Sequence, residues 1–150
     1  MNYKEIIFQN NQKIISYLDL TNKEKKLLVF EALNNSIKKI DNTINTWQKR
    51  NKIQILSDFL IGDLAKLCYK KFLIDNNLNV TDFDSVRQDN FKNHDRFDLS
   101  YSNNNIEVKS SLEKYTCDLE MIVNKRRIID NKYSTHINKA NVILQVFFCP

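Results

Sequence analysis

The chain of 150 residues has almost none of the residues that break or bend a backbone: one glycine, Gly62, and one proline, Pro150. Long helices are therefore expected, with few elaborate loops. Histidine is equally scarce. His94 and His136, with the three cysteines Cys68, Cys117 and Cys149, cannot assemble a zinc site of recognisable spacing. The odd, unpaired cysteines read as reduced thiols. Ser110 and Ser111 stand in no Ser/His/Asp arrangement, so serine hydrolase chemistry is unsupported. The N-terminus "MNYKEIIFQNNQK" lacks an apolar signal core, and no segment approaches the length of a membrane span. A soluble, cytoplasmic protein is expected.

What is present suits a globular chain: 42% hydrophobic residues, with Phe 9, Tyr 6 and Trp 1, enough for one domain with a real core. The net charge of +5 suggests a polyanionic partner. Its source is local. Between Lys23 and Lys52, the cations Lys23, Lys25, Lys26, Lys38, Lys39, Lys49, Arg50 and Lys52 outnumber the acids Glu24, Glu31 and Asp41 by five, the whole net charge. Lys38, Lys39, Lys49 and Arg50 are the candidate phosphate contacts, against the bland alternative of a solvated helix face. Lys125-Arg126-Arg127 reads as a solvated helix end, with phosphate contact as the alternative.

Tyr3 to Leu18 places Ile6, Ile7, Ile14, Ile15 and Leu18 near helical spacing and predicts a helix. "TNKE" at Thr21 to Glu24 is a capping box, opening a second helix that reaches about Arg50 with a break near Asp41-Asn42. Leu27, Phe30, Ala32, Leu33, Ile37, Ile40, Ile44 and Trp47 supply its apolar side. A third helix is expected over about Ile55 to Asn76. "LNVTDFDSV" then reads as a short, interrupted strand. "RFDLSYS" and "NIEVKSS" alternate with period two about Asn103-Asn104-Asn105, a hairpin with a turn of residues that tolerate positive φ. Cys117 to Ile129 is helical in pattern, and "NVILQVFF" is a buried strand. That strand runs out at Cys149-Pro150. A central strand normally continues into a further element, so the pattern is one expected of a fragment of a longer protein.

The hairpin carries the chemistry. Alternate side chains of a strand share a face, so Glu107, Lys109 and Ser111 oppose the apolar Ile106 and Val108. A Glu and a Lys two apart on a strand can be no more than an exposed ion pair. Asp98 changes that balance, because closing the hairpin brings it beside Glu107 and Lys109. Two carboxylates at close range repel unless a cation neutralises them, and hard oxygen ligands with water suit magnesium. Asp95 is a rival to Asp98 but sits less well within the strand. Gln145, in the last strand, can face the same cleft or mark a sheet edge.

Asp98, eight residues, then "EVK" at Glu107 to Lys109 resembles the PD-(D/E)XK nuclease superfamily, which includes many type II restriction endonucleases. The resemblance spans about Ser57 to Phe148. It departs from the motif in having Phe97 where a proline precedes the aspartate. It implies an α+β fold: N-terminal helices over residues 1–52, then a restriction-endonuclease-like core over 53–150, a mixed sheet flanked by helices. It also implies Mg2+, with Mn2+ as a substitute, held by Asp98 and Glu107, and Lys109 positioning the attacking water. A supporting acid on the helix before the hairpin is implied too. Asp63, within the stripe of Leu56, Leu60, Leu64 and Leu67, is its best match; the alternative is a helix-end acid at a kink beside Gly62. The expected function is metal-dependent hydrolysis of double-stranded DNA by a restriction endonuclease, dimeric by analogy. The alternatives are a repair or structure-specific nuclease, and a DNA-binding module whose nuclease fold has lost activity.

Overall fold

The Thr21–Glu24 capping box forms as its sequence predicts. In the computed structural model, which describes residues 2–8, 11–18, 20–41, 50–93, 95, 97–112 and 141–148, the Thr21 N–H donates to Glu24 Oε2 at 2.8 Å and Thr21 Oγ1 accepts from the Glu24 N–H at 3.3 Å. It opens helix α1, Asn22–Ile40. A second capping box pairs Asn51 with Gln54 and opens α2, Lys52–Asp75, three residues before the expected start. The far end of α2 closes in a Schellman motif: Asn77, at φ 60°, takes the left-handed place usually held by glycine, and the Leu78 N–H donates back to the Leu73 carbonyl at 3.0 Å.

Tyr3 to Leu18 is not a helix. It forms two antiparallel strands, β1 (Asn2–Phe8) and β2 (Asn11–Tyr17). Its apolar residues come as β-branched doublets, Ile6-Ile7 and Ile14-Ile15, with aromatics at Tyr3, Phe8 and Tyr17. Such residues lose rotamer freedom in a helix and suit a pleated strand, which outweighs the approximate helical spacing.

After α2 come β3 (Thr81–Asp82), a single helical turn α3 (Phe83–Val86), β4 (Leu99–Tyr101), β5 (Asn104–Leu112) and β6 (Val142–Phe148). The sheet order is β3-β4-β5-β6, antiparallel except for the parallel pair β5 and β6. The β4–β5 turn falls one residue earlier than expected, on Ser102 and Asn103, both at positive φ (47° and 66°). The fold is α+β, with helices against a mixed sheet. Among the described residues no helix is long and apolar enough to cross a membrane. The expected second-helix segment beyond Asp41, the helix over Cys117 to Ile129, and the side chains of Cys117, Cys149, His94 and His136 lie outside the described residues.

Ala65 and Leu73 of α2 pack on Leu99, Ile106 and Val108 of the sheet, with Tyr69, Phe72, Leu144, Val146 and Phe148 around them. The other side of α2 meets α1, so this helix is the middle layer and is buried on two sides. The α1 face turned to it is not the most apolar one. Ala32 and Ser36 are fully buried, whereas Phe30 is 65% exposed and Leu27 and Ile37 are also exposed. Small side chains let the two helices approach, and the expected apolar side of α1 is therefore only partly used.

Candidate active site

Alternation along β5 does as its sequence requires. Ile106 and Val108 enter the core; Glu107 and Lys109 stand half-buried on the opposite face and form an ion pair with each other. Leu99 pairs with Ile106 in the β4–β5 register, so one step back sets Asp98 across from Glu107. The Asp98 backbone is held from both sides, its N–H donating to the Ile106 carbonyl at 3.0 Å and its carbonyl accepting from the Phe83 N–H at 3.2 Å. Its carboxylate accepts from the Val108 N–H at 2.6 Å. The hairpin thus brings Asp98, Glu107 and Lys109 into one patch.

That patch is electrostatically unbalanced. Burial, and then the neighbouring charge of Glu107, push the Asp98 carboxyl up to about 7, against the partial relief given by the Val108 N–H, Lys66 and Lys109. Asp95 is placed differently: it pairs with Arg87 in the loop before β4.

Asp63 lies at mid-helix and is 4% exposed, so no helix end is involved, but it is buried on the side of α2 that meets α1 and not on the side packed against the sheet. Its carboxylate accepts from Ser36 Oγ at 3.0 Å and from the Lys39 ammonium, both on α1. Among the described residues no hydrogen bond joins it to Asp98, Glu107 or Lys109. It belongs instead to a buried network. Lys39 reaches Asp84 at 2.7 Å. Lys66, only 3% exposed, meets Asp82 at 3.1 Å and pairs with Asp84, while Lys70 reaches Asp82 at 3.1 Å. Arg87 bonds Asp84 at 3.3 Å and Asp89 at 2.7 Å, stacked between the rings of Phe83 and Phe91. Burial acts against the charge of Asp84, yet Lys66 and Lys39 outweigh it and hold the carboxyl at about 2. Burial likewise opposes the charge on Lys66, and the carboxylates of Asp84, Asp82 and Asp63 overcome it and raise the pKa above the ordinary lysine range.

Lys39 is thereby withdrawn from the set of surface phosphate contacts, because its ammonium is spent on two buried carboxylates. Arg50 pairs with Asp58 at 2.5 Å. Lys38 is exposed, and Lys49 lies outside the described residues. Sequence reasoning missed Lys66, Asp82, Asp84 and Arg87. Two signals were available: Lys66 follows Asp63 by three residues on an apolar helix, and Asp82-Phe83-Asp84 interrupts an apolar run.

The donor set suits a hard divalent cation in chemistry, two carboxylates whose mutual repulsion a cation would remove. Among the described residues no three His, Cys, Asp or Glu side chains converge, so of these residues Asp98 and Glu107 alone would hold such an ion, with water completing its coordination. Compared with family models, with curated proteins and with solved structures, the chain matches none.

Proposed function

We propose that the protein is a metal-dependent nuclease that hydrolyses phosphodiester bonds of double-stranded DNA, in the manner of a restriction endonuclease. The observation that carries this reading is the half-buried Asp98 set beside Glu107 with Lys109 as the adjoining cation. Further support comes from a helix, an antiparallel hairpin and a later strand in that order, three of the four elements the resemblance implies; the helix expected between hairpin and strand lies outside the described residues.

Asp98 and Glu107 would hold magnesium or manganese. When bound, the ion supplies Lewis acidity at the phosphodiester and lowers the pKa of water. The chain's own groups do the rest. The Val108 N–H fixes one oxygen of Asp98 and leaves the other for the ion. The Lys109 ammonium, anchored by Glu107, orients the attacking water and offsets charge growing on the phosphate. Asp63 supports the site from α2 without touching substrate, by joining α2 to α1. Lys38 and Arg50 contribute phosphate contacts along the basic segment, and the cytoplasm is the compartment where such an enzyme meets DNA.

Plasmid DNA incubated with the purified protein tests the reading. Cleavage with magnesium and none with EDTA is expected, and Glu107→Gln should remove it. Binding without cleavage in magnesium or manganese would favour the inactive DNA-binding module, which the complete Asp98, Glu107 and Lys109 set argues against.

A further inference from the structure

Glu107 and Lys109 do not end the polar face of the sheet. In the parallel β5–β6 register, Lys109 pairs with Gln145 and Ser111 with Phe147, so Gln145 stands on the same face as Lys109, away from the core residues Leu144 and Val146. The amide of Gln145 donates from Nε2 to Ser111 Oγ at 2.8 Å, across the two strands. Both side chains are half-buried.

An amide in the middle of "VILQVFF" is out of keeping with its strand, since a partly desolvated polar group is costly unless it is used. The bond to Ser111 uses only part of what the two groups offer. A glutamine amide has two N–H donors, and a serine hydroxyl that accepts one bond still has its own proton to donate. Among the described residues, Gln145 and Ser111 therefore keep one N–H and one O–H for another acceptor, next to the Lys109 ammonium. A phosphodiester presents two non-bridging oxygens. An ion on Asp98 and Glu107 can take one, which leaves the other to face neutral donors and a cation.

We propose that Gln145 and Ser111 form a neutral phosphate-holding end of the site, gripping a DNA backbone phosphate beside Lys109 without taking part in metal binding. The inference rests on the nuclease reading and adds to it a residue from β6, a strand outside the hairpin motif. Neutral donors serve here because they hold an anion without competing with the carboxylates for the metal. Preorganised donors of this kind act through a fixed geometry that the Gln145–Ser111 bond maintains.

Binding of a short DNA duplex in calcium, a hard cation that occupies oxygen sites, is the test. Gln145→Leu should weaken duplex binding about tenfold, as loss of one hydrogen bond to a charged group allows, with calcium affinity unchanged and the thermal midpoint equal or higher. In the wild type, the side-chain amide resonances of Gln145 should move when duplex is added. A Gln145→Leu protein that binds duplex as tightly as wild type, with unmoved Gln145 amide resonances in the latter, overturns the inference and leaves the nuclease reading intact. Wild-type protein that binds calcium but no duplex overturns both.

Discussion

Asp84, in the network around α2, and Asp98, at the entrance to the hairpin, are carboxylates of one type withdrawn from the same solvent, and they end at opposite extremes. Asp84 is held at about 2, because Lys66 and Lys39 outweigh its burial. Asp98 is pushed up to about 7, because the charge of Glu107 adds to its burial. The network sets Asp63, Asp82, Asp84, Asp89 and Asp95 against Lys39, Lys66, Lys70 and Arg87, and each carboxylate meets at least one cation. At the hairpin, Lys109 pairs with Glu107, and Lys66 and Lys109 relieve Asp98 only in part. The paired network joins α1, α2 and α3; the proposed metal site lies where a carboxylate is left without an ion pair. Burial alone does not separate scaffold from site here, but ion pairing does: Asp84 pairs with Lys39 and Lys66, whereas among the described residues Asp98 is in no ion pair.

The largest expected effect comes from unbalancing the network. Lys66→Met keeps the volume of the side chain and leaves Asp82 and Asp84 buried with less compensation, so unfolding by denaturant should show a loss of about 3–5 kcal/mol. Asp98→Asn should do the reverse. Asp98 has a folded pKa above its unfolded value, so the native state binds more protons and its contribution to stability falls as pH rises from about 4 to about 7. The Asn variant keeps an acceptor for the Val108 N–H and should be more stable than wild type at pH 8, by on the order of 2 kcal/mol, with the gain vanishing near pH 4. Asp84 has the opposite sign: its contribution is full above the unfolded carboxylate range and disappears as pH falls towards about 2.

Asp63→Asn should cost about 1–3 kcal/mol by leaving Lys39 with one buried carboxylate instead of two. Activity per folded molecule should fall much less than it does for Glu107→Gln. A stable Asp63→Asn protein without activity would move Asp63 from the network into the site. The smallest effect belongs to the surface. Lys38→Ala should reduce the salt slope of DNA binding by about 1, as loss of one phosphate contact requires. Lys39→Ala should show its effect in stability instead.

Much of the fold was legible in local chemistry. The Thr21–Glu24 box, the alternation through Ile106 to Lys109 and the positive φ at Asn103 each depend on neighbours in sequence, and each forms; the β-branched run of β6 forms its strand too, but half-buried at the edge of the described sheet and not buried as expected. Tyr3 to Leu18 was misread because isoleucine doublets fit two periods, and residue type decided between them. The exposed side of α1 was misread for a different reason: Ala32 and Ser36 carry little hydropathy, and only their partner α2 makes them an interface. The patch of Asp98, Glu107 and Lys109 was legible because one hairpin contains all three. The network was not, because Lys39, Asp63 and Asp84 come from separate elements, and nothing in a single segment pairs them.

Titration calorimetry with magnesium and with manganese, on wild type, Asp98→Asn and Glu107→Gln, tests whether the hairpin carboxylates form a metal site. Wild type should bind one ion of either metal at pH 8, with affinity that weakens as pH falls through about 7 and protons compete for Asp98. Both variants should bind poorly while remaining folded. Wild type that binds neither metal, with or without DNA, or variants that bind as well as wild type, would rule out a metal site on Asp98 and Glu107.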